Sequence, residues 1–306
     1  MRKTLKIVLN IGIFLVIIGF VVYIALSLNK HDNPNGANRQ EAPFISRYTQ
    51  ELSWILPQEI NRFELYNNKL YIAAGQSIYI YDTEGTLLFS FPLNSNSPLF
   101  PVRDITVTQD SIYVLYPTFI EVYQPNGELV HGWEACSPLS DYCSFALAGD
   151  FVFVTDAQNK NICQYTKEGH FEQFIRSPHG FIIPSYSFDI ESCNDTVYCV
   201  NSGRNLIETY TLDGNFIAAF GGSGIAGGFF AGCCNPSYIT FSPDGALITS
   251  EKGNPRICSF ERNGVFREVL LNSRLMGGGN AAYMVKADEN HLYIAGAKSI
   301  TNYEKN

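Results

Sequence analysis

The chain has 306 residues, of which 46% are hydrophobic and 16% are charged, and its formal net charge is −8 at pH 7. A chain this acidic lacks the basic surface that sequence-independent binding of nucleic acid requires, so nucleic acid is excluded as a partner. The 22 Phe and 18 Tyr residues favour pleated, half-buried strands and therefore an all-β protein.

The first 29 residues differ in character from the rest of the chain. Arg2, Lys3 and Lys6 precede an almost wholly apolar run from Ile7 to Leu28. A helix of that length, rising about 1.5 Å per residue, spans roughly the 30 Å of a bilayer's hydrocarbon layer. Positive charge before the run favours an N-terminus kept inside and a remainder that is exported. Residues 1–29 are therefore predicted to be a single-pass anchor in the cytoplasmic membrane, with a cleaved signal peptide as the alternative.

A polar, turn-rich segment follows the predicted anchor. It reads KHDNPNGANRQEAP (30–43) and is typical of a short flexible tether. Strand-like alternation begins at about residue 47. We therefore predict three parts: the anchor (1–29), a tether (30–46), and a folded domain (47–306) in the periplasm or outside the cell.

A motif repeats along the predicted domain. Each copy has a strand ending in an aromatic residue, then a polar turn with Gly, then an apolar stretch, as in IYIYDTEGTLLFSF (78–91) and IEVYQPNGELVHGW (120–133). Gly suits the positive φ of such a turn. Repeats of about forty residues with four short strands have the size of a propeller blade. The six aligned aromatic residues are Tyr81, Tyr123, Tyr165, Tyr210, Phe260 and Tyr303.

The sixth repeat lacks its outermost strand, because its sequence ITNYEKN (300–306) stops inside the turn. An open blade would leave an unpaired edge, which folded proteins avoid. The strand-like segment RYTQELSWIL (47–56) lies just before the first repeat. We therefore expect an all-β, six-bladed β-propeller closed by this N-terminal strand and preceded by one transmembrane helix.

These repeats resemble those of NHL-repeat and related bacterial six-bladed propellers. The resemblance covers residues 47–306 and rests on the aromatic residue, the polar turn with Asp-Gly or Asn-Gly, and the apolar outer strand. The segments GCCNP (232–236) and SEKGNPR (250–256) resemble a subgroup of these propellers without a defined activity. The resemblance implies a platform that binds a protein or a small ligand more often than an enzyme, and fold alone does not fix function.

A ligand site is expected where loops from several blades converge on the central channel. The longest predicted connector is FGGSGIAGGFFAGCCNPSYI (220–239), between blades 4 and 5. Alignment of the repeats brings other loop positions to the same rim. The candidate ligand-binding residues are Arg103, Tyr186, Arg204, Asn235, Glu251 and Lys252.

The eight cysteines, all after residue 135, suit an oxidising compartment. Cys136 and Cys143 could close a small loop. Three interpretations of Cys233 and Cys234 stay open. In the first, a disulfide from one or both of them to Cys143 or to another cysteine constrains the connector. Alternatively, thiolates with pKa values lowered by Arg103 and Lys252 could bind copper or zinc or exchange electrons, which makes Cys143, Cys233 and Cys234 the candidate metal or redox site. Both thiols could also be buried and inert.

The sequence contains no GxSxG, HExxH or phosphate-binding GxxxxGK[ST] stretch, so no catalytic residue is assigned. The preferred hypothesis is a membrane-anchored binding module without enzymatic activity, which presents its loop-rich face to a protein partner or a small ligand. One alternative is a redox or metal-handling protein that uses Cys233 and Cys234. A second is a metal-dependent hydrolase or lactonase with Glu251 and Asn235 near a channel-bound ion.

Overall fold

The structure is a computed structural model that describes residues 12–23, 44, 46–95 and 101–306. Residues 12–23 form a helix within the predicted anchor, while the two ends of that anchor and residues 30–43 of the tether lie outside the described residues. No helix in the described ranges is both long enough and apolar enough to cross a membrane. The chain divides between Phe44 and Ile45, and every described strand follows that division.

Six four-stranded antiparallel sheets make up the described part of the second unit, and they are called blades 1 to 6. The first strand in the chain is β1 (Tyr48–Ile55). Blade 1 follows as β2 (Ile60–Tyr66), β3 (Lys69–Ala74), β4 (Ser77–Asp82) and β5 (Leu87–Pro92). Blade 2 contains β6 (Asp104–Val107), β7 (Ile112–Leu115), β8 (Phe119–Tyr123) and β9 (Leu129–Glu134). Blade 3 contains β10 (Tyr142–Ala148), β11 (Phe151–Asp156), β12 (Asn161–Thr166) and β13 (Phe171–Ile175).

The remaining blades repeat this pattern. Blade 4 contains β14 (Ile190–Cys193), β15 (Thr196–Asn201), β16 (Leu206–Thr211) and β17 (Phe216–Gly221), with a short 3-10 helix (Ser202–Arg204) between β15 and β16. Blade 5 contains β18 (Tyr238–Phe241), β19 (Leu247–Glu251), β20 (Arg256–Phe260) and β21 (Phe266–Asn272). Blade 6 contains β22 (Met284–Ala287), β23 (His291–Ala295) and β24 (Ser299–Lys305), and its fourth strand is β1.

The strand β1 closes the ring, as predicted. It pairs antiparallel with β24, from Tyr48 opposite Lys305 to Ile55 opposite Ser299, with one irregularity near Leu52. The Leu56 amide then donates to the Lys298 carbonyl at 2.7 Å. Since β22, β2, β6, β10, β14 and β18 contact one another in turn as innermost strands, the six-bladed propeller predicted from the repeats is confirmed.

The hydrophobic core lies between blades rather than at the centre of the ring. One buried cluster fills each of the six blade interfaces in the described residues, for instance Tyr71, Phe91 and Tyr116 between blades 1 and 2. Sheets of a propeller bury both faces against their neighbours, which explains the apolar middle strands. The inner ends of the blades are thereby left free to carry polar side chains.

A further contact recurs between neighbouring blades. The turn glycine of each of blades 1 to 5 has a positive φ and lies under a large side chain from the outer strand of the preceding blade. The pairs are Trp54 on Gly85, Phe91 on Gly127, Trp133 on Gly169, Ile175 on Gly214, and Phe220 on Gly264. The glycine predicted from turn geometry therefore also makes room for the neighbouring blade.

Candidate functional site

Five of the six blades contribute to a cavity of about 250 Å³ at the N-terminal ends of the innermost strands. This region is named the channel mouth. Its lining residues are Asn61, Arg62, Val102, Arg103, Cys143, Ser144, Ser185, Tyr186, Ser187, Phe188, Asp189, Ser237 and Tyr238. Concave sites on which a few polar groups from several elements converge are typical ligand-binding positions.

The floor of the channel mouth is a charged cluster centred on Arg62. Its Nε donates to Asp104 Oδ1 at 2.7 Å, and its Nη2 donates to Asp189. The guanidinium also lies over the Tyr238 ring, 4.9 Å from the centroid. Ser144 Oγ donates to Asp104 Oδ2 at 2.6 Å, so this one cluster joins blades 1 to 5. Burial and the nearby Asp104 raise the pKa of Asp189, while Arg62 opposes the shift.

A second charged cluster lies two residues further along the innermost strands. Lys286 Nζ is 2.7 Å from Glu64 Oε2 and 2.7 Å from Glu191 Oε1. Because side chains two apart on a strand share a face, Arg62 and Glu64 on β2 both face the axis. Burial, together with Glu64, raises the pKa of Glu191 to about 7 despite the nearby Lys286. The channel below the mouth is thus occupied by paired charges.

The rim of the channel mouth differs from the floor because Arg103, its cation, is only weakly paired with a carboxylate. Arg103 Nη2 lies 3.4 Å from Asp141 Oδ1, which is a long contact, and its guanidinium lies 5.6 Å from the Tyr186 ring centroid. Arg103 Nε is buried and has no hydrogen-bond partner among the described residues. A buried donor without an acceptor is costly, so the hydrogen-bonding capacity of the Arg103 guanidinium is incompletely satisfied by its described neighbours.

Tyr186 lies beside Arg103 at the same rim and has an unusual backbone conformation. Its φ is +57°, although it is not a glycine, and its side chain is 58% exposed. The flanking Ser185 accepts a hydrogen bond from Lys252 Nζ at 2.6 Å. Backbone strain held at an exposed ring is characteristic of functional positions. The connector between β13 and β14 thus brings an aromatic ring and two serine hydroxyls to the mouth, while Lys252 of blade 5 contacts Ser185 without lining the cavity itself.

Three other candidate residues are taken up by structural contacts. Glu251 is buried and binds Arg256 at 2.6 Å, while its Oε2 accepts from the Ala231 amide at 2.8 Å. Asn235, which precedes a cis Pro236, donates to the Ala231 and Lys252 carbonyls. Arg204 donates to the Gly180 carbonyl at 2.9 Å. None of these three side chains lines the channel mouth, which corrects the expectation that they share its rim with Arg103 and Tyr186.

The cysteines also differ from expectation. All eight are free thiols; Cys233 is exposed and Cys234 is buried, and neither lines the channel mouth. Cys143 does line it, and burial and the nearby Asp141 raise the pKa of its thiol to about 12. Across the described ranges no group of three or more His, Cys, Asp or Glu side chains is arranged to hold a metal ion.

Cys136 is not paired with Cys143, as the predicted small loop would require. Its Sγ instead lies 3.5 Å from Cys163 Sγ, which belongs to the neighbouring blade. The sequence alone does not predict the contact between Cys136 and Cys163, because the position of Cys136 depends on the path of the connector that follows β9.

A second described cavity, of about 370 Å³, lies between blades 5 and 6. Its lining carries Arg267, which pairs with Asp244 at 2.9 Å and with Glu261 at 2.7 Å. The same cavity is also lined by Arg47, whose Nε lies 3.6 Å from Glu268 Oε2, and by Lys305. The channel mouth is the stronger candidate site because five blades converge on it, whereas this cavity involves only two.

The residues of the floor were not identified from the sequence. Arg62, Asp104, Asp189 and Lys286 each stand in or beside a short innermost strand that is otherwise mostly buried. A charged residue in such a strand is the signal that could have identified them, since buried charges are paired or functional.

No family model matches this chain, and no curated protein sequence matches it. The fold is similar to that of virginiamycin B lyase from Staphylococcus aureus, at 14% identity over 84% of this chain and 99% of that chain, with a TM-score of 0.59. The Pan2 WD40 domain of Neurospora crassa is 8% identical over 87% and 98%, with a TM-score of 0.58. A Bacteroides thetaiotaomicron protein of unknown function is 12% identical over 84% and 72%, with a TM-score of 0.56. At these identities the likeness supports the β-propeller fold alone, and the GCCNP subgroup stays a prediction.

Proposed function

We propose that this protein is a binding module that takes a small organic anion at the channel mouth. The observation that carries the proposal is Arg103, which lines a cavity of about 250 Å³ and whose guanidinium has, among the described residues, only one long ion pair, 3.4 Å from Asp141 Oδ1. A carboxylate matches the fork of guanidinium donors.

The surrounding groups suit the same ligand class. Lys252 lies beside the rim through its hydrogen bond to Ser185, and a second positive charge favours an anion. Ser185 and Ser187 supply hydroxyls that both donate and accept, and the exposed Tyr186 ring supplies a flat apolar face. The floor carboxylates are already bonded to Arg62, so they offer little to a cationic ligand.

Binding is favoured over turnover by the chemistry of the lining. The described lining contains serines and one thiol, Cys143, but no histidine that could act as their base. The raised pKa keeps Cys143 a neutral thiol at physiological pH, and a neutral thiol is a poor nucleophile. A small ligand is preferred to a protein partner because the polar groups converge inside a cavity rather than across a flat surface.

The proposed module acts outside the cytoplasm, anchored by the apolar run from Ile7 to Leu28. Its support is the sequence: the run is long enough to span a bilayer and is preceded by positive charge. The ligand would then be an extracytoplasmic solute, met on the far side of the membrane from the N-terminus.

The test is a thermal-shift and calorimetry series at constant ionic strength. Organic acids are compared with the neutral amides of the same skeleton, for example succinate with succinamide, and with putrescine as a cation. Acids should raise Tm and bind, and Arg103→Gln should weaken binding by about 10-fold or more, equivalent to about 1.4 kcal/mol. Arg176→Gln, at an exposed position after β13, is the matched control.

A blocking variant separates the site from the ligand class. Ser185→Trp places a large ring in the exposed rim, while Ser90→Trp places it on an exposed outer strand of blade 1. Binding that is lost in the first and retained in the second locates the ligand at the channel mouth. Equal binding of amides and acids would reject the anionic class, and no binding by any compound of a broad acid panel would reject the function.

A further inference from the structure

We infer that Cys136 and Cys163 form a thiol pair that a disulfide oxidant converts into a disulfide, linking the connector after blade 2 to blade 3. The two Sγ atoms are 3.5 Å apart, which is van der Waals contact between thiols. A disulfide bond of about 2.05 Å requires them to approach by about 1.5 Å. This inference is independent of the proposed ligand and of Arg103.

The backbone of Cys136 is held in place above blade 3. Its amide donates to Tyr165 Oη at 2.9 Å and to Tyr142 Oη at 3.3 Å, and these two hydroxyls are hydrogen-bonded to each other. Both tyrosine side chains are fully buried. Because Cys163 lies on β12 and Tyr165 follows it by two residues, the contact that fixes Cys136 also aims its thiol at Cys163.

The two thiols have different access to solvent. Cys136 is half-buried and Cys163 is fully buried. Burial and the nearby Cys136 raise the pKa of the Cys163 thiol, which leaves it protonated and slow to react by itself. Cys136 is therefore the thiol that meets the oxidant first, and Cys163 is the one that completes the bond.

The reaction balances as two thiol–disulfide exchanges. The Cys136 thiolate, having lost its proton to water, attacks one sulfur of the oxidant, forms a mixed disulfide and releases the first thiolate. The Cys163 sulfur then loses its proton, attacks Cys136 Sγ and releases the second thiolate. Two thiols are oxidised to one disulfide, and the oxidant disulfide is reduced to two thiols.

The expected consequence is a more stable propeller. The bond would close a loop of 28 residues from Cys136 to Cys163 and reduce the freedom of the unfolded chain. The rise in Tm is expected to be about 5–10 °C between the reduced and oxidised forms. The disulfide would also fix the N-terminal end of the connector from Cys136 to Asp141.

The experiment treats the full-length reduced protein with oxidised glutathione under native conditions, quenches it with acid and measures the intact mass, and then alkylates the remaining thiols and analyses non-reduced peptides. The inference expects a loss of about 2 Da and one peptide pair joining Cys136 to Cys163. Cys136→Ser, at the half-buried position, should abolish both the mass loss and the Tm rise, and Cys193→Ser, also half-buried, should retain both.

Each other outcome contradicts the inference. A peptide pair that joins different cysteines, or a Cys136→Ser variant that still loses 2 Da, would assign the bond elsewhere. Quantitative alkylation of Cys136 after prolonged exposure to the oxidant would show that the two thiols do not react. Circular dichroism of each variant establishes that it is folded before its chemistry is interpreted.

Discussion

Trp54 and Gly85 join the last blade to the first. Trp54 lies on β1, the outer strand of blade 6, and a Cβ added to Gly85 would lie 2.9 Å from its Cδ2 atom. Gly85 also has a φ of +82°. Two independent requirements, a left-handed backbone and an approaching indole ring, therefore demand glycine at the point where the ring closes.

We predict that Gly85→Ala destabilises the propeller by about 2–4 kcal/mol, because it adds a steric conflict to the backbone strain. Urea unfolding at constant temperature measures the change. Gly253→Ala is the matched control, since Gly253 has a φ of +87° and nothing within 4 Å of an added Cβ. The control should cost only about 1 kcal/mol; equal losses in both variants would mean that the contact with Trp54 is unimportant.

We predict that Glu251→Gln loosens the connector from 221 to 231. Removing the charge leaves Arg256 buried without its carboxylate, which costs about 3–5 kcal/mol for a fully buried pair and less here because Arg256 is 16% exposed. Arg256 also donates to the Ile225 and Phe229 carbonyls, so its displacement frees this connector.

Hydrogen–deuterium exchange of the Phe230 and Ala231 amides is the measurement for this connector. Protection should fall in Glu251→Gln, while Glu261→Gln, which alters an exposed ion pair of the same blade, should leave it unchanged. Unaltered protection in Glu251→Gln would show that the buried pair does not hold the connector.

We predict a pH dependence of stability that originates at Glu191. Burial raises the pKa of Glu191 in the folded protein to about 7, above its ordinary value of 4.5, so the native state favours the protonated carboxyl. The associated stability is complete below about pH 4.5 and is lost as the pH rises through 7. The free energy of unfolding, measured with urea, should change less between pH 5 and pH 8 in Glu191→Gln than in the wild type, by about 1–2 kcal/mol. Glu84→Gln, at an exposed turn, should match the wild type.

We predict that Cys233 reacts with a membrane-impermeant maleimide from outside intact cells or spheroplasts. It is the one exposed cysteine of the eight, and the anchor hypothesis puts it beyond the membrane. Labelling should fall several-fold in Cys233→Ser and be unaffected by lysis. Labelling that occurs only after lysis would contradict the extracytoplasmic location.

The fold was predictable because its signals are local. The turn glycines have the positive φ values that the repeated polar turns indicate, for example +85° at Gly127 and +79° at Gly214. The closing strand could be found because an incomplete final repeat and a strand-like segment before the first repeat complement each other. The first inference uses only neighbouring residues, and the second uses the repeat length and the count of strands in each repeat.

The site was predictable only in part. Arg103, Cys143 and Tyr186 were placed at one rim by repeat alignment, and the structure does bring them around one cavity. The floor was missed because Arg62, Asp104 and Asp189 come from different blades and meet only in three dimensions. The connector from 220 to 239 was expected to carry the site because it is long and rich in glycine. Those features do not reveal that Glu251 and Arg256 fix the connector through hydrogen bonds to its backbone.

The pairing of β1 with β24 also determines how this protein responds to force. Any tension transmitted along the chain from the N-terminal side enters the propeller at Tyr48 and acts first on the ladder between β1 and β24. If the hydrogen bonds between β1 and β24 broke, blade 6 would open before the other five sheets carried load. We therefore expect the pairing of β1 with β24, rather than the average stability of the blades, to determine the mechanical strength of the propeller.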